Sequence, residues 1–356
     1  MILTSITLSN FRSYKKKTFT LSGGATLIVG ENAVGKTNIL ESIMLLATGK
    51  SFRADKDNEM IYWGNELAHI TGHIAPDTRL EVQITHGALG GHTVPKKRLL
   101  VNGVPRRSID FVGNCRAVLF WPQDLELITD SPSLRRKYLD TVLMQVDREY
   151  RRNLVSYERG LRQRNKLLDL IKEGVATRSQ LLFWNQLLIK SGGYITNKRS
   201  EFIDYLQAFE ISGIRHTITY DKSVISETRL EQYRDEEVAA KATLVGPHRD
   251  DFIVSKMQQK RAVDAEHADW TELSKYGSRG EQRLGVLWLK LGELSYVEHS
   301  VGNRPMLLLD DIFSELDEKH RAIVFDVTKK QQTIITSAEA DIVDELGAKE
   351  VSVIAL

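Results

Sequence analysis

The chain has 356 residues, of which 42% are hydrophobic and 27% are charged. This length excludes a single small module and predicts two domains with a substantial core. The 49 lysines and arginines nearly balance the 47 aspartates and glutamates, and the net charge of +2 excludes a histone-like polycation. Charged partners must therefore be sought in local charge.

Three features of the sequence predict a soluble protein of the reducing cytoplasm. Cys115 is the single cysteine, so no disulfide can form within the chain. The first residues, MILTSITLSNFRSYKKK, carry their charges on the wrong side of a short alternating run for a signal peptide. No apolar stretch approaches the length of a membrane span, and no membrane partner is expected.

The first 120 residues predict a β-rich region around one strand, loop and helix. Residues 2–8 alternate as a strand, ATLIV (25–29) is typical of a buried strand, and NILESIMLLATG predicts a helix closed by Gly49. Residues 61–120 show short strands with turn signals, and Asn102-Gly103 marks a hairpin tip.

A helical arm then interrupts the β-rich region. Residues 133–211 contain almost no proline, and apolar residues recur at helical spacing: Leu154, Tyr157, Leu161 and Leu168. Strands return with RHTITYD and DFIVSK, followed by a long helix, the apolar run MLLLDD, a helix near 317–330 and the strand TIIT. This alternation predicts a parallel α/β sheet whose halves the arm separates. The predicted domains are a discontinuous head, 1–120 and 212–356, and an arm, 121–211.

A glycine-rich loop after the buried strand fits the P-loop pattern with nothing missing. The loop GENAVGKT comprises Gly30, Glu31, Asn32, Ala33, Val34, Gly35, Lys36 and Thr37. In such a loop, backbone N–H groups converge on phosphate oxygens, Lys36 reaches the terminal phosphates and Thr37 ligates magnesium. The pattern predicts ATP and Mg²⁺ as cofactors, although the loop does not read the base. The alternative, an ordinary glycine turn, is disfavoured by the strand and helix on either side.

The run RPMLLLDDIFSELD predicts a second part of the nucleotide site. Four apolar residues ending in a carboxylate are typical of a buried strand whose tip delivers charge beside a P-loop. Asp310 is then the candidate magnesium ligand, and Asp311 the candidate group that polarises the attacking water. Alone, the run fits a buried strand and a solvated acidic turn equally well, and the intact P-loop favours the metal site.

The stretch YGSRGEQRL places small residues at the start of a predicted helix, 280–297. Its predicted buried stripe is Leu284, Leu287, Leu291 and Leu294. Ser278 and Glu281 match a capping box, which needs no further function. Unpaired backbone donors at this helix end also suit an anion, and both interpretations hold if Ser278 and Gly280 face outward. The order of these motifs resembles that of the ABC-type ATPases.

The resemblance narrows to the RecF family of bacterial recombination mediators, whose head is similar to that of SMC proteins. It rests on LSNFRSY, FWPQDLELI, SPSLRRKYLD, GPHRDDF, YGSRGEQR and LLLDDIFSELD, which span nearly the whole chain. It implies an α/β fold, namely a two-lobed ABC-type head with an inserted helical arm, and ATP-dependent dimerisation. Ser278, Arg279 and Gly280 would then meet the γ-phosphate held by a second copy. The spacing assigns no role to His248 or Arg249.

Further roles follow from the resemblance alone. Gln123 takes the Q-loop position, which senses magnesium and the attacking water, and Glu315 to Asp317 take the D-loop position at the dimer seam. Asp311 stands where ABC ATPases usually have glutamate, and no histidine follows TIIT, so Thr336 or Ser337 is the candidate γ-phosphate switch. Both departures predict slow hydrolysis. DNA and the RecR- and RecO-type mediators are the partners that the resemblance implies.

Two basic surfaces are candidates for DNA binding. The hairpin PKKRLLVNGVPRR (95–107) has five basic residues and no acidic one, and it includes Lys96, Lys97 and Arg98. One face of the arm carries Arg148, Arg152, Arg159, Arg162 and Lys166. Lysines at a sheet edge often only prevent aggregation, and a basic helix face is usually solvated. Few aromatic residues are interspersed, which favours contacts with the duplex backbone over base stacking.

Two other functions share the same phosphate chemistry. The nucleotide-binding subunit of an ABC transporter would be compact, whereas here a long, partly basic insert separates Gln123 from Ser278. A P-loop kinase needs an acceptor pocket and an arginine-bearing lid, and it leaves the Ser278 segment unexplained. The leading hypothesis is an ATP-switched DNA-binding dimer of recombinational repair, which acts at gapped or junction DNA and helps to load recombinase.

Overall fold

The computed structural model describes residues 2–211, 214–257, 270–338 and 351–356, without the side chains of Ser314 and Glu315. The strands are β1 (Ile2–Phe11), β2 (Tyr14–Thr20), β3 (Ala25–Val29), β4 (Leu67–Ala75), β5 (Thr78–Thr85), β6 (Ala88–Leu89), β7 (His92–Thr93), β8 (Lys97–Val101), β9 (Val104–Arg106), β10 (Ala117–Phe120), β11 (His216–Asp221), β12 (Asp251–Met257), β13 (Trp270–Glu272), β14 (Met306–Asp310), β15 (Thr333–Ser337) and β16 (Val351–Ala355).

The helices are α1 (Lys36–Thr48), α2 (Ser108–Phe111), α3 (Glu126–Thr129), α4 (Pro132–Val146), α5 (Arg148–Lys172), α6 (Leu182–Ala208), α7 (Glu227–Gln232), α8 (Arg234–Ala240), α9 (Leu273–Tyr276), α10 (Arg279–Val301) and α11 (Glu318–Thr328). Short 3-10 turns lie at Asp57–Met60, Pro122–Leu125, Arg178–Leu181, Pro247–Arg249 and Ile312–Glu315. Within the described ranges, no helix combines the length and the apolar character that a membrane crossing needs.

The chain folds into two compact units. The first comprises Met1–Asp124 and Glu293–Leu356, and the second comprises Leu125–Gly292. The sequence-based division placed residues 212–356 in the head, whereas the described segments between the arm and residue 292 group with the arm helices. The reason is packing, because β11 lies against α6 and β12 against α4. Whether the chain functions as a head of residues 1–120 and 212–356 with an arm of residues 121–211 stays a prediction.

In the first unit, a five-stranded parallel sheet carries the P-loop on its strand β3. The strand order is β10-β14-β15-β3-β16. Strands β10, β14 and β15 are buried throughout, as expected of parallel strands covered on both faces. Phe120 pairs with Leu309, and Asp310 pairs with Thr336, so the carboxyl ends of these strands lie at one edge. Open α/β sheets bind their ligands at such an edge.

A six-stranded antiparallel sheet in the order β2-β1-β4-β5-β8-β9 forms the predicted β-rich region of the first unit. The predicted hairpin tip is confirmed, because Asn102 and Gly103 join β8 to β9 with φ of 52° and 79°. Both residues tolerate positive φ, which a two-residue hairpin turn of this type requires.

The second unit contains the predicted arm, in which α5 and α6 pack against each other. Along α5, the predicted apolar face is buried at Leu154, Tyr157 and Leu168, and Leu161 is half-buried. A three-stranded sheet in the order β11-β12-β13 completes the described part of this unit.

Helix α10 is buried more widely than the predicted stripe. Leu287, Leu291 and Leu294 are buried as expected, but Leu284 is only half-buried. Trp288 and Leu289, which lie off the stripe, are also buried, at 1% and 0% exposure. The predicted stripe was therefore too narrow, because a helix that is apolar on most sides lies inside the protein.

Candidate functional site

The P-loop adopts a conformation that requires glycine at position 35. Ala33 and Gly35 have positive φ, at 66° and 115°. A Cβ atom at Gly35 would lie 2.8 Å from Ser13 Oγ and 2.9 Å from the Tyr14 hydroxyl oxygen. Tyr14 donates its hydroxyl hydrogen to Gly35 O at 3.2 Å, and burial raises the pKa of Tyr14 to about 12. The LSNFRSY block therefore braces the P-loop from outside, and glycine is required there by both φ and close approach.

Lys36 lies within the curve of the loop. Its ammonium donates to Gly30 O at 2.6 Å and to Glu31 O at 3.0 Å, and the residue is 8% exposed. Phosphate oxygens are stronger acceptors than these neutral carbonyls, so a bound nucleotide can take over the same donors. The outer surface of the loop is formed by exposed residues, namely Glu31, Asn32, Ala33 and Val34.

Asp310 is joined to the P-loop by a hydrogen bond between side chains. It is 5% exposed, and its Oδ1 accepts from Thr37 Oγ1 at 3.0 Å and from Thr336 Oγ1 at 2.6 Å. Carboxylate and hydroxyl oxygens fit Mg²⁺, which is usually held by one or two carboxylates together with substrate phosphates. Among the described residues, no group of three acidic, histidine or cysteine side chains is arranged to hold a metal ion, and a magnesium site completed by phosphates needs none.

The structure gives Thr336 a contact that differs from the predicted one. Thr336 is fully buried, and its hydroxyl donates to Asp310. It therefore positions the candidate magnesium ligand, while its contact with the γ-phosphate stays a prediction. The sequence held a signal for this contact. Thr336 lies at the carboxyl end of the strand that follows Asp310, and residues at the carboxyl ends of adjacent parallel strands lie side by side.

Asp311 and Gln123 lie at the same edge of the sheet. Asp311 has φ of 52°, a left-handed conformation that Asp adopts more readily than most residues, and its N–H donates to Thr336 O at 3.1 Å. Gln123 is exposed in the turn Pro122–Leu125 that follows β10. Their catalytic roles stay predictions. In the predicted D-loop, Asp317 caps α11 by accepting from His320 N–H at 3.0 Å.

The predicted capping box of α10 is confirmed. Ser278 N–H donates to Glu281 Oε2 at 2.8 Å, and Ser278 Oγ lies 3.0 Å from the same oxygen. Ser278, Arg279 and Gly280 remain exposed. A Cβ atom at Gly280 would meet no described atom within 4 Å, so neither packing nor φ requires glycine within this chain. A glycine that destabilises a helix without a local reason is consistent with close approach of another molecule.

Lys256 contacts this helix start, and the sequence did not predict the contact. It lies on β12, and its ammonium donates to Glu281 Oε1, opposite the oxygen that holds Ser278. This hydrogen bond, followed by that of Ser278 N–H, lowers the pKa of Glu281 below its ordinary value. Glu281 thus remains charged and keeps Ser278 in place.

The blocks SPSLRRKYLD and GPHRDDF are held together by buried ion pairs. Arg135 donates to both carboxylate oxygens of Asp251, at 2.6 and 2.9 Å. Arg199 bridges Asp250 and Asp140 at 2.9 and 2.8 Å, and Asp250 is fully buried. Both blocks therefore brace the second unit, which is a structural reason for their charged residues.

His248 belongs to the same framework. Its Nε2 donates to Thr243 O at 2.9 Å, so Nδ1 carries no hydrogen and accepts from the Tyr157 hydroxyl at 2.7 Å. Burial lowers the pKa of His248 to about 4. Arg249 is exposed, and its guanidinium lies 3.4 Å from Thr243 O.

The predicted basic surfaces are only partly available to a partner. Lys96 and Arg98 of the hairpin are exposed, but Lys97 donates to Gly49 O at 2.9 Å and pairs with Asp57 at 2.6 Å. The predicted face of α5 is exposed at all five positions, Arg148, Arg152, Arg159, Arg162 and Lys166. Arg164 of the same helix is instead buried and pairs with Glu237 at 2.6 Å.

The fold and this edge of the sheet together define an ATPase head of the ABC type, the class that includes the SMC proteins. A family model described as an AAA domain matches residues 5–236. The SMC head of Pyrococcus furiosus has a TM-score of 0.52 at 17% identity, covers 99% of this chain and 93% of its own, and supports the fold alone.

Closer similarity is found to DNA replication and repair protein RecF. The protein of that name from Roseiflexus castenholzii is 33% identical, and the match covers 96% of this chain and 94% of that protein. The one from Herpetosiphon aurantiacus is 35% identical with the same coverage. A solved structure of the recombination mediator RecF with ATP, of the RecFOR pathway, has a TM-score of 0.83 at 30% identity and covers 95% of this chain and 92% of its own. The chain belongs to the RecF family.

Proposed function

We propose that this chain is an ATP-dependent DNA-binding protein of replication and recombinational repair, active as an ATP-induced dimer. The observation that carries the proposal is the start of α10. Ser278 to Gly280 are exposed there, although the hydrogen bond between Ser278 N–H and Glu281 already caps the helix. The chain itself gives no packing reason for Gly280. The nucleotide of a second copy is an acceptor of matching chemistry, because a helix start attracts phosphate.

In the proposed site, each side chain has a distinct role toward ATP. Lys36 exchanges its two loop carbonyls for phosphate oxygens, and Thr37 and Asp310 would hold magnesium, which neutralises phosphate charge when bound. Thr336 fixes the orientation of Asp310. Asp311 and Gln123 would orient the attacking water, and the short side chain of Asp311 is expected to make hydrolysis slow. Nucleotide binding, rather than turnover, then sets the state of the dimer.

DNA binding is proposed for the exposed face of α5 rather than for the hairpin. All five basic residues of that face are exposed, and the pair of Arg152 with Glu149 lies at the surface, whereas Lys97 of the hairpin is half-buried between two partners. If about five phosphates are neutralised on duplex DNA, the log-log salt slope of the affinity should be near −4.5. DNA should also stimulate hydrolysis. By likeness to the RecFOR structures, mediators of the RecR and RecO type are proposed partners in loading recombinase.

Sedimentation velocity with and without ATP and Mg²⁺ tests the dimer. Wild type should shift from monomer to dimer with nucleotide, and Ser278→Arg should remain monomeric because arginine blocks the helix start. Ser300→Arg is the matched control, since Ser300 is exposed at the other end of the same helix. A Ser278→Arg protein that dimerises with ATP as wild type does would refute the proposal.

A further inference from the structure

Trp63 is the most exposed large apolar side chain of the described residues, at 95% of its full area. Tryptophan is usually well covered in folded proteins, because its large ring gains more than most side chains from leaving water. Folding of the chain therefore gives no reason for an indole at this position. An exposed tryptophan is instead typical of a surface on which another molecule packs.

The backbone that presents Trp63 is held firmly. Asn65 N–H donates to Tyr62 O at 3.1 Å, and Asn65 Nδ2 donates to Trp63 O at 3.3 Å. Gly64, with φ of 78°, completes this turn. Tyr62 N–H in turn donates to Asn10 O at 2.8 Å, which attaches the turn to the end of β1. The indole is thus carried by a hydrogen-bonded turn on a sheet, so little order is lost when a ligand binds.

Lys15 of β2 lies beside this turn, and Lys17 lies on the same face of the strand because successive side chains alternate between the two faces. Lys15, Lys16 and Lys17 are all exposed, and no ion pair to an acidic side chain is found for them among the described residues. Lys15 Nζ lies 5.9 Å from the centre of the Tyr62 ring, next to Trp63. Protection of the edge strand β2 explains lysines there, but it does not explain the tryptophan.

We propose that Trp63, Lys15 and Lys17 form a binding surface for unpaired nucleotides, a proposal that rests on the DNA binding proposed above. The indole stacks on one exposed base, and the ammonium groups contact the phosphates on either side. Single-stranded nucleic acid is bound in this way, by aromatic faces next to a positive track. A protein partner is disfavoured, because a tryptophan anchor for a protein is usually ringed by less polar contacts than Gly64, Asn65 and lysines. The surface would let the protein distinguish a gap or a single-stranded end from continuous duplex.

Three labelled DNA molecules test the proposal: a single-stranded oligo-dT, a duplex with a single-stranded gap, and a blunt duplex. Binding is measured by fluorescence anisotropy with Mg²⁺ and a slowly hydrolysed ATP analogue. The variants are Trp63→Ala, Trp63→Phe, and Trp270→Ala, the last removing an indole that is 45% exposed in the second unit. Circular dichroism checks that each variant is folded.

Trp63→Ala should weaken binding of oligo-dT and the gapped duplex by a factor between about 5 and 150, and leave the blunt duplex within about twofold. Trp63→Phe should recover most of the loss, and Trp270→Ala should bind as wild type does. Replacing Lys15 and Lys17 by glutamine should move the salt slope for oligo-dT toward zero by about 1.4.

Two results would overturn the proposal: wild-type affinity of Trp63→Ala for oligo-dT, or an equal loss on all three DNA molecules. These failures differ from failure of the proposed function. If wild type bound none of the three DNA molecules, the function itself would be wrong; if wild type bound them and Trp63→Ala did too, only the Trp63 surface would be wrong.

Discussion

Replacement of Thr336 by valine separates two roles for this residue. The change removes a buried hydroxyl that donates to Asp310 Oδ1 at 2.6 Å, and of the bonds to this carboxylate between described residues it leaves the one from Thr37. A hydrogen bond to a charged group contributes about 1.5–3 kcal/mol, so the free energy of unfolding without nucleotide should fall by about that amount. Loss of a residue that orients a metal ligand typically weakens metal binding by a factor of about 10 to 100. The Mg²⁺ concentration needed for ATP binding should rise by a similar factor.

Urea denaturation and Mg²⁺ titrations of ATP-analogue binding measure both effects. Thr336→Ser keeps the hydroxyl and should retain Mg²⁺ affinity. Thr333→Val is the matched control, because Thr333 is equally buried on the same strand but its hydroxyl donates to the neutral carbonyls of Thr328 and Gln331 and not to a carboxylate. That variant should lose about 1 kcal/mol of stability and keep its Mg²⁺ affinity. If Thr336→Val had wild-type stability and Mg²⁺ dependence but hydrolysed ATP more slowly, Thr336 would act at the γ-phosphate and not through Asp310.

Three further outcomes are expected. Lys256→Met should weaken the ATP-induced dimer about two- to fivefold in sedimentation titrations, with Lys256→Arg restoring it, because the partly exposed pair with Glu281 contributes less than about 1 kcal/mol; an unchanged dimer would contradict this. The folded chain holds His248 neutral, with its pKa lowered to about 4, so the unfolded chain takes up a proton first as the pH falls below about 6.5 and stability declines. From pH 7 to pH 5, wild type should therefore lose about 2 kcal/mol more than His248→Gln in urea denaturation, and equal losses would be inconsistent with a neutral buried imidazole. Neutralising three residues of α5 should move the salt slope for duplex DNA toward zero by about 2.7. Lys97→Gln should leave the slope unchanged and lower the free energy of unfolding. An unaltered slope in the α5 variant would mean that DNA binds elsewhere. Those three residues are Arg159, Arg162 and Lys166.

Local patterns predicted much of the fold, because they act over a few residues. The glycine positions of GENAVGKT, the apolar run before Asp310 and the Asn102-Gly103 tip each specify a strand, loop or turn without reference to distant segments. The family resemblance and the α/β head are confirmed by the comparisons. The capping box of Ser278 and Glu281 was likewise predicted from a spacing of three residues.

Contacts between distant segments could not be predicted in the same way. The pair of Arg135 and Asp251 joins positions 116 residues apart, and the pair of Arg199 and Asp250 joins α6 to the turn before β12. Helical spacing places Arg164 on the apolar face of α5, but its acidic partner Glu237 comes from α8 and could not be predicted. Hydropathy is also misleading for Trp63, since an apolar residue is expected inside the protein.

The composite nucleotide site is tested most directly by mixing two inactive variants. Lys36→Ala disables the P-loop, and Ser278→Arg blocks the helix start, so neither variant alone should dimerise with ATP. In a mixed dimer, the P-loop of the Ser278→Arg subunit would meet the intact helix start of the Lys36→Ala subunit and form one complete site. Sedimentation of the mixture should show an ATP-dependent heterodimer, and an ATPase assay should show partly restored hydrolysis. A mixture of Lys36→Ala with the variant that carries both Lys36→Ala and Ser278→Arg should show neither. A mixture that remains monomeric, or single variants that dimerise unaided, would contradict a site shared between two copies.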